Sequence, residues 1–104
     1  MISIQTIKTS IEELKAITKV DFCVFDTEMI TVASTFEPDS ETKNFVEKFI
    51  ESPADSQIIS GSHLLKIIDE NEISYILLAK GNSDDVYMVA KICVSQIQAL
   101  IVAY

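Results

Sequence analysis

His63 is the only histidine in the chain, and the two cysteines stand far from it at positions 23 and 93. A protein metal site draws on His, Cys and carboxylates at short spacings. No such spacing occurs here, so no metal ligand and no cofactor is expected. Asp26 with Glu28, Asp69 with Glu70 and Glu72, and Asp84 with Asp85 pair carboxylates of the kind that acid/base catalysis uses. Each pair falls in a polar turn or at a helix start, where solvation and the helix dipole account for it. Ser60-Gly61-Ser62 lacks the flanking glycines of a nucleophile elbow. Gly81-Asn82-Ser83 precedes a helix N-terminus, but Asp84 and Asp85 would repel a phosphate there. An enzyme is not expected.

Binding of a small effector asks for less: an apolar cavity with a few polar groups between sheet and helices. Cys23, Phe25, Gln57, His63 and Tyr75 are residues of suitable type near strand starts and faces, and they form the candidate ligand set. Alternation along the strand puts His63 on one face with Leu65 and Ile67, and Lys66 on the other with Leu64 and Ile68. Cys23 and Cys93 sit inside apolar runs and read as buried thiols in a reducing compartment.

The elements that must carry these residues follow from composition and periodicity. A chain of 104 residues, 48% hydrophobic and 23% charged, is sufficient for one domain with one core. Its formal net charge of -8 opposes binding to a nucleic-acid backbone or an anionic membrane surface. The opening "MISIQTIKTSIEELKAI" has neither a basic region nor an uninterrupted apolar one, so no secretory signal is read and a cytoplasmic location is expected.

Ile4, Ile7, Ile11, Leu14 and Ile17 recur at intervals of three and four, which predicts an amphipathic helix over about 3–19. "DFCVFD" and "MITVAST" predict a hairpin turning at Asp26-Thr27-Glu28. "EPDSETKNFVEKFIES" predicts a second helix entered through Pro38, Asp39 and Ser40 and ended by Pro53. "QIISGSHLLKIID" holds strands broken near Gly61, "DENE" is a turn, and "ISYILLAK" is apolar enough to be central in a sheet. A long helix from about Asp84 then runs to the end. The order α-β-β-α-β-β-β-α implies an α+β fold of the PAS, GAF or profilin kind, with about five antiparallel strands and helices packed on them.

The last helix is apolar on two sides. Val86, Val89, Ala90, Cys93, Ile97, Leu100 and Tyr104 make one stripe for the core. Met88, Ile92, Ala99, Val102 and the flanking Val94 and Ile101 occupy the rest of the cylinder, and a helix apolar nearly all round is buried on more than one side. Lys91, Gln96 and Gln98 oppose a transmembrane reading of the same segment. A helix buried in a monomer is the plainer alternative. The reading preferred here is a homodimer joined through Met88, Ile92, Ala99, Ile101 and Val102. The apolar end "SQIQALIVAY" then reads as a helix cut before its natural end at Tyr104.

"SPADSQ", "YILLAKGNSDDVYMVAKI" and "QIQALIVAY" together resemble the N-terminal region of bacterial transcriptional regulators of the sugar-diacid (CdaR-type) and purine-catabolism (PucR-type) group. The resemblance covers nearly the whole chain and implies a PAS/GAF-like sensory domain that dimerises, takes a small-molecule effector and controls a helix-turn-helix domain. DNA contact would come only through that further domain, which this chain lacks. The element order also resembles roadblock-type dimerisation domains, which bind partner proteins rather than metabolites. A closed apolar cavity beside the sheet would favour the sensor, and a filled core the scaffold.

Overall fold

The structure, a computed structural model, describes residues 3–103. Tyr104, expected in the core stripe of the last helix, lies outside the described residues. The elements are α1 (Ile4–Thr18), β1 (Asp21–Phe25), β2 (Thr31–Ser34), α2 (Ser40–Glu51), β3 (Ser56–Ile59), β4 (Ser62–Asp69), β5 (Glu72–Lys80) and α3 (Val86–Ala103). All five strands join one antiparallel sheet in the order β2-β1-β5-β4-β3. The α+β architecture and element order are those expected, and β5 is the central strand.

The sheet is covered on both sides. Side chains alternate across each strand, so Phe22, Val24, Leu65, Ile67, Leu77 and Ala79 face one way, where α1 and α3 lie. Cys23, Phe25, Leu64, Ile76 and Leu78 face the other way, towards Val46 and Phe49 of α2. Cys93 belongs to the first core and Cys23 to the second, and both are free thiols.

Local chemistry sets the boundaries. Ser3 caps α1 by accepting from the Thr6 amide at 3.1 Å, and Lys19 ends it in the left-handed region with φ 64°. Asp39 caps α2 by accepting from the Thr42 amide at 2.8 Å. The β3–β4 turn places Ser60 and Gly61 at φ 50° and 79°, and the β4–β5 turn places Glu70 and Asn71 at φ 51° and 68°. Two consecutive positive values match the right-handed twist that a two-residue hairpin must join.

Three expectations are corrected. Ile4 and Ile17 are exposed at 61% and 79%, because successive steps of three residues carry Ile17 off the face that buries Ile7 and Ile11. β2 begins at Thr31 and not at Met29, since Asp26 holds the hairpin loop by accepting from the amides of Glu28 and Ile30, and Met29 takes φ 69°. Asp84 and Asp85 precede α3 and do not form its first turn. The Asp85 carbonyl accepts from the Val89 amide at 2.9 Å, which makes it the entry to the helix.

Candidate interaction site

α3 lies beside α1 on one face of the sheet, and the side it presents to the core is Val86, Val89, Ala90, Cys93, Val94 and Ile97. The opposite side carries Met88, Ile92, Ser95, Ala99 and Val102 at spacings of three and four, one continuous strip along the helix. Met88, Ile92 and Val102 are exposed at 57%, 44% and 80%. Met88, Ile92, Ala99 and Val102 of the expected dimer set therefore share a solvent face. Ile101 does not: it turns inward, half-buried, and packs against the core. Val94, expected to flank the second stripe, is buried in the same core. Both deviations follow from angle, since 94 and 101 project well away from the line through 88, 92, 99 and 102.

By length and composition α3 could also cross a membrane, with a mean hydropathy of 1.7 over its 18 residues. In the structure it is packed on the sheet through one side. The Ser10 hydroxyl meets Gln96 Oε1 at 3.2 Å, and Gln98 Nε2 donates to the Ile68 carbonyl at 3.3 Å, so two of the polar residues that interrupt the apolar pattern tie the helix to α1 and β4.

The five candidate ligand residues do not converge. Cys23 and Phe25 are fully buried beneath α2. Burial pushes the Cys23 thiol up to about 11, against weaker lowering by Ser34, Lys43 and Thr31. His63 lies on the α3 face, opposite Ala79 and Ile58, with its ring 5.8 Å from that of Tyr87. Gln57 stands across from Leu64 and is exposed on the edge strand. Gln57 and His63 both border a shallow groove of about 310 Å³ with Ile58 and Tyr87. Tyr75 is at the other end of the sheet, in a separate cleft. Period-two alternation and the two core layers keep this set apart.

That cleft, of about 450 Å³, lies between the start of α1, the end of α3 and the lower end of the sheet. Ile4, Val32, Tyr75 and Ile101 give it apolar walls, and Asp26 and Asp69 stand at it. Sequence reasoning found Tyr75 and read the two aspartates only as turn residues. Nothing local marks the cleft, since its walls come from five different elements.

Two further polar groups are buried, and only one of them has a partner among the described residues. Lys66 lies under α2, where its Nζ donates to the Ser52 carbonyl at the helix end and sits 5.0 Å over the Phe49 ring. His63 Nδ1 is buried without a partner among the described residues. No group of metal-ligating side chains occurs among the described residues.

No protein-family model matches the chain, and no curated protein matches it. Nothing in these comparisons identifies it as a CdaR- or PucR-type sensory domain.

Proposed function

We propose that this chain is a dimerisation and protein-interaction domain, the roadblock-like scaffold of the two readings. One observation carries it: α3 keeps an apolar strip in solvent while side chains fill both faces of the sheet. Burying a large apolar side chain contributes on the order of 1.5–3 kcal/mol, so Met88, Ile92 and Val102 together favour a covering partner. A second copy is the simplest occupant, because a two-fold axis across α3 places each strip against itself. Ala99 and Ser95 lie mid-strip, where small side chains let two helices approach closely.

Light scattering on the full chain at micromolar concentration is expected to give twice the monomer mass. Ile92→Glu is expected to give the monomer with an unchanged circular dichroism spectrum. A wild-type monomer at that concentration removes the proposal.

The second reading is an input domain that controls a DNA-binding domain elsewhere in a cytoplasmic regulator, and the three resembling segments favour it. Under that reading an effector would act by binding two α3 arrangements with different affinity. A shift in melting temperature with sugar-diacid or purine metabolites would support it. The separation of Cys23, Phe25 and His63 from Tyr75 supports the scaffold.

A further inference from the structure

The cleft at the lower end of the sheet has a chemistry of its own. Ile4, Val32, Tyr75 and Ile101 make an apolar floor, and Asp26 and Asp69 line it with their carboxylates. The framing segments 3–7, 26–32, 69–75 and 97–103 contain Asp26, Glu28, Asp69, Glu70 and Glu72 and no lysine, arginine or histidine. Of the lysines, Lys8 is exposed on α1 one turn beyond Ile4, Lys15 and Lys19 are at the far end of α1, and Lys80 is at the far end of β5. Asp26 Oδ1 accepts from the Glu28 and Ile30 amides at 2.9 and 3.0 Å, and its second oxygen has no partner among the described residues. The Asp69 side chain likewise makes neither hydrogen bond nor ion pair among the described residues. The domain thus carries an apolar groove with two carboxylates, Asp26 and Asp69, in its lining and Glu28, Glu70 and Glu72 on the adjoining chain, an excess of negative charge over the single nearby Lys8 among the described residues.

We infer that this cleft docks a cationic segment of a partner protein, with an apolar side chain seated between Tyr75, Val32 and Ile101 and flanking lysine or arginine residues on the acidic loops. Charge complementarity selects this occupant over a second copy, because a strongly acidic chain would bring like charge to the rim. The open form of the groove suits a peptide, which extends over the loops, better than a small molecule, whose surface such sites mostly enclose. Met88, Ile92, Ala99 and Val102 of the outward α3 strip are not among the residues that line the cleft.

The test uses the full chain and a short fluorescein-labelled peptide with a leucine-phenylalanine centre and lysines on both flanks, followed by anisotropy and amide chemical shifts. Expected are shifts clustered at Val32, Asp69, Tyr75 and Ile101, and affinity that falls as salt is added. Neutralising the rim with Asp69→Asn and Glu72→Gln is expected to weaken binding about fivefold, as the loss of two exposed charge pairs would. Asp84→Asn with Asp85→Asn makes the same change in net charge away from the cleft and is expected to leave affinity unchanged. Equal losses in the two double variants would show that net charge alone attracts the peptide, and would overturn the inference. So would equal affinity for a peptide whose leucine-phenylalanine centre is replaced by serine and glycine, or for spermine, since neither uses the apolar floor. Absence of shifts at these residues with saturating peptide would end it as well.

Discussion

At the scale of single residues, environment decides what each reactive group does. Burial pushes the Cys93 thiol up to about 12 and Cys23 to about 11, so little thiolate forms near neutral pH. Both cysteines are expected to resist a thiol reagent at pH 8 in the native protein and to react fully in denaturant; fast native labelling would show that the cores open. Asp21 behaves differently. Burial raises its carboxyl, but hydrogen bonds from Lys15 and Thr35 and the charges of Lys15 and Lys80 outweigh that and hold it below the usual range. Lys15 Nζ lies 2.7 Å from Asp21 Oδ1. A carboxylate depressed in the folded state stabilises above its unfolded value, roughly pH 4, and that contribution is lost as pH falls through the folded value. Asp21→Asn is therefore expected to cost about 1 kcal/mol or less near neutrality, since Lys15 is partly exposed. The gap between variant and wild type should close in acid. A gap that persists at pH 2 in urea titrations would mean the loss is packing rather than charge.

At the scale of elements, most caps and turns do what the residue types promise, and Met29 and Glu70 depart from it. Asp39 holds the α2 N-terminus through the Thr42 amide, and that bond lowers its carboxyl. Asp39→Ala should destabilise the protein, read as a lower urea midpoint with an unchanged slope. Glu70 takes φ 51° at the first central position of the β4–β5 turn, where a side chain with a long stem has no local hydrogen bond to offer. Glu70→Asn with Asn71→Gly supplies the pair that such turns favour and is expected to stabilise by about 1 kcal/mol in denaturant titrations. A neutral result would show that the turn relaxes at no cost. Lys66 belongs to this scale as well, because it ties β4 to the end of α2 across the second core.

For the whole molecule, the strip on α3 makes stability a property of concentration. If the dimer is the folded unit in solution, the melting temperature should rise as protein concentration rises from micromolar to hundreds of micromolar, and Ile92→Glu should abolish that dependence. A flat response in the wild-type protein would separate folding from assembly.

The sequence by itself determined the element order, the central place of β5, the two-sided apolar character of α3 and the face that His63 shares with Leu65 and Ile67. These are properties of spacing, and spacing is written in the chain. Only the tertiary structure decided that Ile101 turns into the core, that Ile17 is left in solvent, and that the Cys23 and Phe25 layer is divided by the sheet from the His63 layer. It also brought Asp26 and Ile101 to the hairpin end that carries Asp69 and Tyr75, around one cleft. Periodicity assigns a side chain to a face of its own element; which faces meet is fixed by sheet order and helix crossing, which depend on all the elements at once.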